Sequence, residues 1–168
     1  VTTLLEQAIA LSTKYHAGQK RKWGDPPADY LTHPLAVALM VAQYDNDPLL
    51  MAAAVCHDLR EDTACSDPEI ERAVGEYPLL LVRNLTDVED KRMPRAERKA
   101  LNRKRLSSCC DATLLIKACD RLHNLMTLDD ASEDFRQVYM EESRLLVEEV
   151  LAGSIPLRLL GRLREMLK

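Results

Sequence analysis

Eight consecutive apolar residues, 49–56, run directly into His57, Asp58, Glu61 and Asp62. A helix that is apolar on every side must be enclosed by other elements, so residues 49–56 predict a central buried helix. Asp47-Pro48 marks its start, because proline suits the first helical position. The other run of this length, residues 35–42, is also far short of the roughly 18–20 residues that span a membrane. Leu, Ala, Glu, Lys and Arg dominate, only 5 of 168 residues are glycine, and no stretch sustains strand-like alternation. That composition predicts an all-α fold.

Punctuation divides the chain into further helices. Residues 3–17 carry an amphipathic pattern stopped by Gly18, and a polar loop follows through Trp23-Gly24-Asp25-Pro26-Pro27. A second helix is expected from Pro34, with His33 extended at its entrance, and the third from Asp47-Pro48 to about residue 63. Ser66-Asp67-Pro68-Glu69 has capping-box spacing and opens a fourth, ended by Gly75. Others are expected from Pro78, from Pro94, over 111–128, over 132–152 and from 155 to the end. No repeat, low-complexity tract or linker interrupts the chain, so residues 1–168 predict one compact multi-helix domain.

Composition narrows the class. A net charge of −4 argues against a general nucleic-acid binder. Five cysteines form no CxxC pair and leave an odd one over. Read as reduced thiols, with Cys56 and Cys119 in the core, they predict a cytoplasmic location. Glu6 and Lys14 lie in an amphipathic pattern, unlike a signal peptide.

The end of the third helix carries the chemistry. Spacings 57→61 and 58→62 are i,i+4, so on a continuous helix these side chains share one surface. Three carboxylates at a helix C-terminus oppose the macrodipole, and Asp58 repels Asp62. Each effect costs on the order of a few tenths of a kcal/mol. A bound cation would offset that cost; the alternative is a solvated helix end screened by Arg60. On the helix from Asp111, Lys117, Asp120, Arg121, Asn124 and Thr127 form a polar line along an otherwise apolar surface. It is either a solvent face or the wall of a polar cavity, and the acids and histidine of helix three favour the cavity. Two separated histidines followed by paired carboxylates can surround a divalent cation, an arrangement suited to hydrolysing a phosphate ester or anhydride.

His16-Ala17-Gly18-Gln19-Lys20-Arg21-Lys22, His33-Pro34-Leu35, His57-Asp58-Leu59-Arg60-Glu61-Asp62-Thr63 and Lys117-Ala118-Cys119-Asp120-Arg121-Leu122-His123-Asn124-Leu125 follow in that order. Over residues 4–150 they resemble the motifs of the HD-type hydrolase domain of the RelA/SpoT homologue family. The long members need several hundred more residues, so the chain is similar to the small alarmone hydrolases. The resemblance implies that His33, His57, Asp58 and Asp120 are metal ligands, and the family ion is manganese. Two imidazoles and two carboxylates suit such an ion and leave positions open for water and phosphate. It assigns Glu61 and Asp62 to the attacking water and Arg21 to stacking on the nucleobase. Lys22 would touch phosphate, and Asn124 and Thr127 the ribose and phosphate region.

The implied reaction removes the 3′-pyrophosphate of (p)ppGpp, the nucleotide partner, releasing pyrophosphate and GDP or GTP. The alternatives are an adenosine 3′-pyrophosphate, the 2′-phosphate of NADPH, or a nucleic-acid module built on residues 91–105, with eight basic residues and the single acid Glu97. Within that run, Arg95 and Lys99 lie one turn apart, where the family places basic groups near phosphates. Tyr139 either covers the base or packs, and His16 is expected to buttress the loop or a ligand. Two departures stand out: extra residues around Pro26-Pro27-Ala28-Asp29, and Arg60 where the family has a small or apolar residue. Arg60 either points outward or adds a phosphate contact.

Overall fold

The computed structural model describes every residue except 1, 88, 89 and 91. Lys91, the first member of the basic run, therefore lies outside the described residues. The chain forms two compact units, residues 1–86 and 87–168. The fold is all-α apart from one small hairpin.

In the first unit, helix α1 (Leu4–Tyr15) begins at Thr3, whose hydroxyl and amide form a capping box with Glu6. Helices α2 (Thr32–Val41) and α3 (Pro48–Cys56) follow the hairpin, and α3 packs against α1, α2 and α6 (Glu76–Leu85). Neighbours on three sides explain why α3 has no polar face: Ala52, Ala53, Ala54, Val55 and Cys56 are wholly buried. Its three alanines let those neighbours approach closely. Asp47 caps α3 by accepting the Leu49 amide at 2.9 Å, with Pro48 at the first position. Helix α5 (Asp67–Val74) opens on the expected Ser66–Glu69 capping box and ends at Gly75. Gly75 has a φ of 88°, a conformation that costs glycine no side-chain clash.

Four boundaries differ from expectation. Helix α2 begins at Thr32 rather than Pro34, so His33 is helical instead of extended. The stretch 20–29 is not a simple loop. Strands β1 (Lys20–Gly24) and β2 (Pro27–Asp29) pair antiparallel, with Lys20 opposite Asp29 and Gly24 opposite Pro27. Period two is present here in burial rather than polarity: Arg21 and Trp23 are half-buried, while Lys20 and Lys22 are exposed. Helix three stops at Cys56 and resumes as the single turn α4 (Leu59–Asp62). The cause is local. His57 Nδ1 donates to the Ala54 carbonyl at 2.7 Å, the acceptor that the Asp58 amide would use in a continued helix. Helix α6 begins at Glu76, two residues before Pro78, because Gly75 ends one helix and starts the next.

The second unit contains α7 (Arg95–Leu106), α8 (Asp111–Met126), α9 (Glu133–Leu146) continued by a π-helical turn (Val147–Leu151), and α10 (Leu157–Met166). Helix α10 packs on α8 and on the π turn, which also receives α7. Ile116, Ala118 and Cys119 are wholly buried. Burial pushes the thiols of Cys56 and Cys119 up to about 12, so both act as apolar core groups. No helix among the described residues is long and apolar enough to cross a membrane.

Leu59, wholly buried, is the anchor that holds the single turn α4 against the core. Leu59→Ala is expected to lower unfolding free energy by about 2–5 kcal/mol in urea titrations. Leu80→Ala, at a position 48% exposed, should stay within about 0.5 kcal/mol of the parent. Equal effects at the two positions would contradict the packing assigned to Leu59.

Candidate metal centre

Local geometry brings three of the expected ligands together. His33 lies in the first turn of α2, and His57 and Asp58 occupy the break between α3 and α4. Asp58 Oδ2 is 3.1 Å from His57 Nε2 and 3.5 Å from His33 Nε2. Two ligands on one cation with bonds of about 2.1 Å are separated by about 3.0–3.4 Å at octahedral or tetrahedral angles. The two measured distances therefore match a shared ion closely. Both imidazoles are buried and Asp58 is half-buried.

The tautomer of His57 also fits. Because Nδ1 donates to the Ala54 carbonyl, the neutral ring presents the lone pair of Nε2 toward Asp58. A backbone carbonyl that fixes the far nitrogen is the usual support for a metal-binding histidine. A lone pair and a carboxylate converging at 3.1 Å call for a positive charge between them, and a divalent cation supplies it.

Tyr30, which the sequence reading missed, joins this group to Asp62. Its hydroxyl lies 2.7 Å from Asp58 Oδ2 and 2.8 Å from Asp62 Oδ2. His16 stacks on the Tyr30 ring at 4.7 Å between centroids, and its Nδ1 is 2.7 Å from Gln19 Oε1. His16 thus buttresses the loop, as expected. The Arg21 guanidinium stands 5.7 Å from the centroid of the same tyrosine. The one signal for Tyr30 was its place one turn before His33, too little to separate it from a packing tyrosine.

The two acids of α4 differ. Burial of its carboxyl, then the charge of Asp58, makes Asp62 a weaker acid than an ordinary carboxyl, with its pKa raised above the usual range. Although Asp62 is exposed as a residue, its carboxyl turns inward onto Tyr30. Glu61 is exposed on the same turn. Arg60 points outward: its Nε donates to Asp67 at 2.9 Å, and Arg83 donates to the other oxygen of that carboxylate at 2.9 Å. Lys22 is exposed, with its ammonium 4.7 Å from the Trp23 ring centroid.

The remaining expected residues lie in the second unit. On the polar line of α8, Asp120 and Arg121 are 6% and 7% exposed and Lys117, Asn124 and Thr127 are half-buried. Asp120 accepts from Lys117 at 3.0 Å and from Asn124 at 2.6 Å. Thr127 caps α8, its hydroxyl donating to the carbonyls of His123 and Asn124. Tyr139 packs between the Arg121 guanidinium, 4.4 Å from its ring centroid, and Phe135. Arg95 forms a two-pronged pair with Glu142 at 2.6 and 2.9 Å, and Lys99 pairs with Asp87. Burial works against the Asp87 charge, yet the ammoniums of Lys117 and Lys99 hold its carboxyl below the usual range. Arg92 pairs with Asp90 and Arg103 with Glu149. Much of the described basic run is thus matched by acids of the same chain.

Comparison with known proteins agrees with this geometry. A sequence model of the HD domain family matches residues 8–152. A GTP pyrophosphokinase of Streptomyces antibioticus is 36% identical over 126 residues, 74% of this chain and 15% of that protein. A Synechocystis protein named a probable guanosine-3′,5′-bis(diphosphate) 3′-pyrophosphohydrolase is 33% identical over 145 residues, 84% of this chain and 19% of its own length. The chain thus spans less than a fifth of the length of these curated relatives. The solved structure of a metazoan ortholog of SpoT, described as hydrolysing ppGpp, superposes with a TM-score of 0.87 at 26% identity. That match covers 99% of this chain and 94% of the other. The chain belongs to the HD-domain family, and its relatives are named as a GTP pyrophosphokinase, a probable guanosine-3′,5′-bis(diphosphate) 3′-pyrophosphohydrolase and an ortholog of SpoT.

Proposed function

We propose that this chain is a manganese-dependent phosphohydrolase that removes the 3′-pyrophosphate of (p)ppGpp. The observation that carries the reading is the convergence of His33, His57 and Asp58 beside the inward-turned carboxyl of Asp62. The family match over residues 8–152 supports both this activity and the reading of residues 1–168 as one functional domain.

Each residue has a defined task in that reaction. His33, His57 and Asp58 hold the cation, and Asp120 remains a proposed further ligand on the strength of its motif alone. When bound, a divalent ion polarises the phosphoryl oxygen and makes its water acidic enough to attack near neutral pH. Glu61 and Asp62 orient that water and take its proton, and the burial that makes the Asp62 carboxylate more basic than usual suits it to accepting a proton. The 3′ oxygen–phosphorus bond breaks, the nucleoside oxygen recovers a proton, and pyrophosphate leaves. Arg21 offers a planar guanidinium to the nucleobase. Lys22, Arg95, Lys99, Asn124, Thr127 and Tyr139 are the proposed further substrate contacts. For Arg95 and Lys99 that role requires exchanging Glu142 and Asp87 for phosphate.

A panel of ppGpp, pppGpp, their adenosine counterparts and NADPH, each with manganese, tests the substrate assignment. Pyrophosphate and GDP or GTP are the expected products, and activity should vanish on chelation. His57→Ala should lose the metal while helical circular dichroism is retained. Full activity in chelator would overturn the metal assignment, and turnover of adenosine substrates or NADPH alone would overturn the guanosine assignment.

Glu61→Gln separates binding from chemistry. It should keep metal and substrate binding while losing about 10²–10⁴-fold in kcat, the range expected for a general base. Loss of the metal in this variant would instead make Glu61 a ligand.

A further inference from the structure

We infer that Tyr30 is a positioning residue, whose phenol fixes the Asp62 carboxylate relative to the metal-binding carboxylate of Asp58. The inference rests on the metal-hydrolase reading and adds to it a residue that none of the sequence motifs assigned.

The backbone around Tyr30 is tied at both ends. Its amide donates to the Gln19 carbonyl at 2.9 Å, and its own carbonyl accepts the His33 amide at 2.9 Å. Tyr30 therefore bridges the hairpin, which carries Arg21, and the first turn of α2, which carries His33. The ring is held on two faces of the site, stacked on His16 and edge-on to His33 with centroids 6.0 Å apart. Such packing leaves the side chain little freedom, so the hydroxyl is delivered to one place.

That place lies between two carboxylates. The phenol oxygen is 2.7 Å from Asp58 Oδ2 and 2.8 Å from Asp62 Oδ2. A phenol carries one hydrogen, and both carboxylates compete for it. The Asp58 oxygen involved is also the one that faces His57 and His33. When a cation takes the charge of that oxygen, the phenol hydrogen is better spent on Asp62. The hydroxyl then holds one oxygen of Asp62 and leaves the other to the attacking water. Tyr30 thus acts through Asp62.

Phenylalanine at this position keeps the ring and its stacking but removes the hydroxyl. With whichever nucleotide of the panel the parent hydrolyses, Tyr30→Phe should lower kcat by about 10–100-fold, the range seen when a group supporting a metal site is lost. KM should stay within about twofold. Manganese affinity, measured by calorimetry, should fall far less than kcat. In an Asp62→Asn background the same substitution should cost nothing further, because its effect passes through Asp62. Unchanged kcat, a loss of manganese binding in step with activity, or a full additional loss in the Asp62→Asn background would each overturn the inference.

A crystal structure of Tyr30→Phe adds an arm that needs no substrate. The Asp62 carboxylate should leave its position while His33, His57 and Asp58 keep theirs, and an unmoved Asp62 would overturn the inference. If the parent turns over none of the nucleotides, the substrate assignment fails while the crystal structure still decides the role of Tyr30.

Discussion

Helix α3 has to be buried on every side, yet the residues that follow it carry imidazole and carboxylate groups. The rest of the first unit answers that conflict. The His57 ring captures the Ala54 carbonyl, the helix stops, and Asp58 turns its carboxylate toward two imidazoles. One hydrogen bond thus ends the helix, sets the tautomer of a metal-binding ring and aims a ligand. Asp58 and Asp62 then lie one turn apart across α4, the Asp62 amide donating to the Asp58 carbonyl at 2.9 Å, so one Tyr30 hydroxyl reaches both carboxylates.

Charge placement follows the same economy. Acids that would repel one another in isolation are given partners: Asp58 and Asp62 share the Tyr30 hydroxyl, and Asp67 is held by Arg60 and Arg83. The second unit repeats the pattern, with Asp87 held by Lys99 and Asp120 by Lys117 and Asn124. Buried charges without such partners would cost several kcal/mol each. Pairing of this kind also orients groups, which is what a hydrolytic site needs from its scaffold.

Much of this was legible in the chain. The apolar run 49–56 identified the central helix because its enclosure leaves no polar side to mark. The cap at Ser66 and the stop at Gly75 followed from local hydrogen bonding and backbone freedom. On the polar line of α8, Asp120 and Arg121 are buried while Lys117, Asn124 and Thr127 are half-buried. The hairpin escaped because Lys20-Arg21-Lys22 has no apolar face, so its alternation exists only in burial. Tyr30 escaped because a single tyrosine has no pattern, and its role depends on two carboxylates 28 and 32 residues away. The break at His57 escaped because a side chain, not proline or glycine, ends that helix.

The central claim is that His33, His57 and Asp58 hold one divalent cation. Anomalous diffraction near the manganese absorption edge, from crystals grown with manganese, tests it directly. A single strong peak at about 2.0–2.3 Å from His33 Nε2, His57 Nε2 and an Asp58 oxygen is the predicted result, within the range of bonds to such ligands. Well-ordered side chains with no peak between them, or a peak bound elsewhere on the chain, would contradict the account.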